Sequence, residues 1–136
     1  MTIKLAANTV ASARLTVEKQ HLATNISCES QDRFPPVFAT AQMVALMEIA
    51  AARILYPVLE SNELSVGVFV QVSHTAATSW GAKVTANAQY IGQEDKLFIF
   101  KVWAEDLGGE IGCGVHKRAV VNVDRLLTGA ARRNAG

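Results

Sequence analysis

The stretch TAQMVALMEIAAARILY, from Thr40 to Tyr56, decides the fold. Val44, Met47, Ala51 and Leu55 recur at helical spacing, and the segment is rich in the helix formers Ala, Met and Leu. Thr40 is placed to act as N-cap, and Pro57 breaks the pattern at the far end. The only charged residues inside are Glu48 and Arg53. A helix apolar nearly all round is expected to be buried rather than laid on a solvated surface.

Downstream of Asn62 the period changes from helical to alternating. Val66, Val68, Val70, Val72 and His74 share one strand face. After the turn at Trp80-Gly81, Ala82, Val84, Ala86, Ala88 and Tyr90 oppose Lys83, Thr85, Asn87 and Gln89. Glu94-Asp95 makes a hairpin turn into Leu97–Glu105, where Phe98, Phe100, Val102 and Ala104 lie on one side. Leu107-Gly108-Gly109 turns once more into a last strand from Ile111 to Val123, with Cys113, Val115, Ala119, Val121 and Val123 facing together. That reading makes Cys113 a small buried hydrophobe. Upstream of the helix, Arg14–Lys19 alternates as a strand, Thr24–Cys28 reads as a short extended piece, and the polar run Glu29–Pro36 as a loop.

One strand, one buried helix and four long antiparallel strands give an α+β chain. A lone helix with apolar residues on all sides needs a sheet wrapped around it. A curved antiparallel sheet around one central helix is the hot-dog architecture. At 136 residues with no repeat or linker, the chain reads as one domain over 1–136, with 1–12 and 126–136 expected to be flexible tails.

Composition narrows the function. Half of the residues are hydrophobic and the formal net charge is +1, with no block of like charge, so a basic nucleic-acid surface is not expected. Cys28 and Cys113 are far apart and form no CxxC motif, and the three histidines are scattered, so neither a zinc nor a redox centre is expected. Neither a signal peptide nor a membrane span is read from the sequence, which gives the expectation of a cytoplasmic protein without a membrane partner.

Several residues could carry chemistry. Glu48, mid-helix among apolar neighbours, cannot easily reach water, and an unpartnered buried carboxylate is unfavourable. Its bland reading is a narrow exposed stripe, or a pair with Arg53 or a donor on a strand. His74 closes the valine stripe, where a core histidine with satisfied nitrogens is the simpler reading. Thr40 alone is most simply a cap. His21, in a loop-like stretch, and His116, beside Arg118, are weaker candidates. Gly67 interrupts a β-branched run and marks either a bulge or a close backbone approach, with its N–H available as an oxyanion donor.

In combination these residues resemble a known family. FPPVFAT at Phe34–Thr40, ALME at Ala45–Glu48, SVG at Ser65–Gly67, HTAAT at His74–Thr78 and GEIGCGVHKRAVV at Gly109–Val121 follow one another as in the fluoroacetyl-CoA thioesterase family of hot-dog proteins. The resemblance runs from about Arg14 to Arg125. It implies a catalytic threonine, glutamate and histidine at Thr40, Glu48 and His74. It also implies a glycine at Gly67 whose backbone meets the thioester oxygen, and homodimers with active sites at the subunit interface. The family's lid uses two phenylalanines. Phe34 matches the second, and the first falls near Gln31 in the polar run Ser30-Gln31-Asp32-Arg33.

The implied reaction is hydrolysis of a small acyl-CoA to acid and free coenzyme A, with no cofactor beyond the coenzyme A of the substrate. His74 would be the general base beside Thr40, Glu48 would attack the carbonyl or orient water, and Gly67 would stabilise the oxyanion. Phe34 would line the acyl site, and Arg118 and Lys117 would meet coenzyme A phosphates. Two rivals are a hot-dog enoyl-CoA hydratase and a non-catalytic acyl-CoA-binding module. The hydratase is disfavoured by the absence of a helical Asp-x-x-x-x-His pattern. Eight residues separate Thr40 from Glu48, about 12 Å of rise in a continuous helix, too far for both to touch one small group. A bent loop before the helix, a bridging substrate or a dimer interface would each resolve this.

Overall fold

The computed structural model describes residues 4–136. In chain order it contains β1 (Val10–Thr16), α1 (Thr40–Leu55), β2 (Glu63–His74), β3 (Lys83–Glu94), β4 (Leu97–Asp106), β5 (Gly109–Asn122) and α2 (Val123–Arg133), with two 3-10 turns before α1 and one after it. The five strands form one antiparallel sheet in the order β1-β3-β4-β5-β2, and α1 packs on its concave face. This is the α+β hot-dog architecture, with all four downstream strands where the alternation placed them.

The core lies between sheet and helix. Met43, Leu46, Met47, Ala50, Ala51, Ile54 and Leu55 of α1 meet Val84, Ala86 and Ala88 of β3 and Phe98, Phe100, Val102 and Ala104 of β4. Helical and alternating periods bring these two stripes face to face. Gly112 of β5 permits close helix packing, since a Cβ there would stand 2.7 Å from Met43 Sδ. By length and composition, the helical run Thr40–Val58 is apolar enough to cross a membrane, contrary to the reading of the sequence. Here its apolar side forms the protein core.

The structure corrects several expectations. Burial of α1 is one-sided, because Ala41, Ala45 and Ile49 remain exposed. Thr24–Cys28 is not extended, since Ala23–Asn25 forms a 3-10 turn. Regular structure reaches into both expected tails: β1 begins at Val10, paired with Gln89, and α2 runs to Arg133 with Asn122 capping it through Arg125 N–H. Residues 1–3 of the first tail lie outside the described residues.

Face assignments on β2 and β5 are the most consequential correction. A β-bulge at Val68 shifts the register, so that Gly67 pairs with Arg118 and Phe69 with Lys117. Partners in an antiparallel pair share a face. Gly67 therefore lies on the helix side with Arg118, and beyond the bulge Val70, Val72 and His74 lie there with His116, Gly114 and Gly112. Val66 pairs with Ala119 on the outer face. Cys113 is exposed, and His116 and Arg118 are the buried pair. Apolar parity pointed the wrong way because the inward polar residues of β5 have a carboxylate partner on α1.

Candidate functional site

Two polar clusters stand at different heights along α1. The first joins Thr40 to His74. Thr40 is the first residue of the helix rather than its cap. Ala39 occupies the cap position, and no side chain caps the helix there. The Thr40 hydroxyl is thereby free to lie 2.7 Å from His74 Nδ1. Backbone bonds hold the approach to the helix in place, from Phe38 N–H to Thr78 O and from Ala39 N–H to His21 O. The other imidazole nitrogen, His74 Nε2, is buried and has no hydrogen-bond partner among the described residues. Buried polar atoms are ordinarily hydrogen-bonded, so this nitrogen stands out.

An open cavity of about 500 Å³ adjoins this pair, lined by Ala23, Ile26, Phe34, Val37, Thr40 and His74 among others. Apart from the Thr40–His74 pair its walls are mainly apolar, as expected of a site for an acyl chain or a thioether arm. Phe34 lies at its wall while remaining half exposed. Gln31, Asp32 and Arg33 are exposed in the preceding loop and do not line the cavity.

The second cluster centres on Glu48. Its carboxylate Oε2 accepts from Arg118 NH1 at 2.9 Å and lies 4.0 Å from His116 Nε2. Arg118 also donates through Nε to Ser65 Oγ and through NH2 to Ser65 O. Gly67 lies against the same carboxylate, where a Cβ would stand 2.5 Å from Oε2. Of the sequence alternatives for Glu48, the donor on a strand is the one realised. Arg53 instead donates to Ser12 O. Arg118 is therefore not the coenzyme A phosphate contact expected of it, because its guanidinium is buried and committed to Glu48 and Ser65. Lys117, on the outer face, pairs with Glu94 and lies over the Phe69 ring.

His116, a weak candidate by sequence, proves central to this cluster. It is 1 % exposed, and its Nδ1 lies 2.8 Å from Phe69 O. Burial is the largest cause lowering its pKa below the usual histidine value, and nearby Arg118 acts in the same direction. The Phe69 carbonyl and Glu48 oppose the shift without reversing it. The alternation that placed Val115 inward concealed this residue. Its i, i+2 spacing to Arg118 was the available signal.

Within one chain the two clusters stay apart. Thr40 and Glu48 both belong to the continuous helix α1, which separates them by about 12 Å along the axis. No bend before Thr40 shortens that distance.

The chain is similar to proteins of known activity over most of its length. A family model described as fluoroacetyl-CoA-specific thioesterase matches residues 17–124. The fluoroacetyl-CoA thioesterase of Streptantibioticus cattleyicolor is 45 % identical over 93 residues, covering 68 % of this chain and 67 % of the relative. A solved structure of a fluoroacetyl-CoA thioesterase superposes with a TM-score of 0.87 at 34 % identity, covering 96 % of this chain and 98 % of the other. A Thermus thermophilus member of the thioesterase superfamily gives a TM-score of 0.84 at 25 % identity, with 96 % of both chains covered. The fold, the Thr40–His74 pair and the partnered Glu48 thus coincide with a match spanning most of the chain, and the chain belongs to the fluoroacetyl-CoA-specific thioesterase family of hot-dog thioester hydrolases.

Proposed function

We propose that the protein hydrolyses a small acyl-CoA at a composite site, with Thr40 and His74 from one subunit and Glu48 and Gly67 from its partner in a homodimer. The observation that carries this reading is the buried, unpartnered His74 Nε2 beside the apolar cavity. With Nδ1–H donated to Thr40 Oγ1, Nε2 keeps a lone pair for accepting a proton from water. Attack of that water on the thioester carbon gives an oxyanion, for which the Gly67 N–H is the donor. Collapse breaks the C–S bond, and the proton held by His74 passes to the departing thiolate. Glu48, held as an acceptor beside Arg118, orients the water. No cofactor is required beyond the coenzyme A that is part of the substrate.

The dimer is supported by β2. It is a twelve-residue edge strand carrying exposed Val68, Phe69 and Val70, and an uncovered edge of this length favours pairing with another chain. In an antiparallel two-fold pairing of β2 with its own copy, centred on Gln71, partners share a face and the bulge sets His74 opposite the Gly67-Val68 step of the partner subunit. Such pairing unites the two clusters that one helix keeps apart. The open side of α1, at Ala45 and Ile49, is also apolar surface in need of cover. A cytoplasmic location fits the two free cysteines.

Subunit complementation tests this arrangement. His74→Ala and Glu48→Gln should each lower kcat by at least ~100-fold, and Thr40→Ala by less. In a co-expressed equal mixture of His74→Ala and Glu48→Gln, half of the dimers are mixed and each holds one intact composite site, restoring about a quarter of wild-type activity. If both residues of a site come from one subunit, every site in the mixed dimer is damaged. No recovery in a mixed dimer verified by mass would overturn the shared site.

A further inference from the structure

We infer that His116 is a positioning residue for Glu48, acting through the Arg118 guanidinium and anchored to the β2 bulge. The inference rests on the reading above that Glu48 takes part in hydrolysis.

A guanidinium is donor-only, so the 3.0 Å contact between Arg118 NH1 and His116 Nε2 makes Nε2 the acceptor. The proton of the neutral ring is then on Nδ1, which donates to Phe69 O at 2.8 Å. The geometry thus selects one tautomer. The two hydrogens of Arg118 NH1 go to Glu48 Oε2 and His116 Nε2, while Nε and NH2 are held by Ser65. His116 itself is buried against the Phe100 ring, with centroids 6.5 Å apart.

The chain of contacts runs from Phe69 O through the imidazole and the guanidinium to the carboxylate. It begins at the residue following the bulged Val68 and ends against Gly67 on the other side of the bulge. A Cβ on Gly67 would also stand 3.1 Å from His116 Cε1, so imidazole and carboxylate both fit the space left by the missing side chain. The charged and titratable groups facing His116 are Glu48 from α1 and Arg118 from β5, and the adjoining β2 contributes the Phe69 carbonyl. Protonating His116 would remove the acceptor that Nε2 offers to Arg118 and set two cations against each other. A histidine serving only to fill the core would need neither the tautomer nor the acceptor.

Two measurements on the intact protein test this. Long-range ¹H–¹⁵N correlation spectra at neutral pH should show His116 as the Nδ1–H tautomer, and an Nε2–H tautomer would overturn the inference. His116→Phe keeps an aromatic ring but makes neither bond, and should lower kcat by about tenfold or more while leaving KM within about twofold. His116→Gln, which can still offer an oxygen to Arg118, should recover part of that loss while remaining folded. Wild-type kcat in a folded His116→Phe variant, where Glu48→Gln is inactive, overturns the inference alone. Full activity of Glu48→Gln instead overturns the functional reading beneath it.

Discussion

Gly67 and the Glu48 carboxylate occupy adjoining space: a Cβ on Gly67 would approach Oε2 to 2.5 Å. The carboxylate cannot swing away without leaving Arg118, which it meets at 2.9 Å. Gly67→Ala should therefore displace Glu48 while leaving the sheet intact. We expect a fall in kcat of at least about tenfold with a loss of stability of about 1–3 kcal/mol, the usual range for overpacking. Steady-state kinetics beside a thermal melt would measure both. Unchanged kcat in a folded Gly67→Ala variant would show that the position of Glu48 does not matter to the reaction.

Acyl selectivity should be weak. Phe34 lies at the cavity wall, but the position matching the family's other lid phenylalanine is near Gln31, on an exposed polar loop that does not line the cavity. A site that admits water discriminates poorly between C–F and C–H near the acyl carbon. The open cavity also leaves room for acyl groups longer than two carbons. The ratio of kcat/KM for fluoroacetyl-CoA and acetyl-CoA measures this directly. A preference above about a thousandfold, ~4 kcal/mol in the transition state, would place selectivity elsewhere in the pocket.

Acid stability should depend on His116. Its pKa is lowered below the ordinary 6.5, first by burial. As pH falls through about 6.5 the unfolded chain takes up this proton before the folded one does, so stability is lost between that value and the folded-state pKa. Above about 6.5 neither state carries the proton and the effect vanishes. We expect the melting temperature of His116→Phe to fall less than that of the wild type over this acid window, by a few degrees. Parallel melting curves from pH 7 downward would contradict the assignment of that slope to His116.

The central helix and the strands around it were legible in the residues alone, because the helical run Val44–Leu55 and the alternation in Val84–Tyr90 and Phe98–Ala104 are local periodicities that backbone geometry converts into faces. Motif resemblance also singled out Thr40, Glu48, His74 and Gly67. Which faces of β2 and β5 point inward was decided only by the tertiary structure. One unpaired residue, Val68, inverts the parity of everything beyond it, and alternation alone cannot register an insertion in the partner pairing. On β5 the cause is different: Cys113 read as core and is exposed, while His116 and Arg118 read as peripheral and are buried, because the carboxylate of Glu48 on α1 partners them from across the fold. Thr40 read as a cap and instead binds His74, thirty-four residues away, because a hydroxyl at a helix start is free for whichever acceptor or donor the fold brings to it. Local pattern fixes what a segment forms, whereas the pairing of polar side chains depends on distances across the fold, and those exist only once the sheet has closed around the helix.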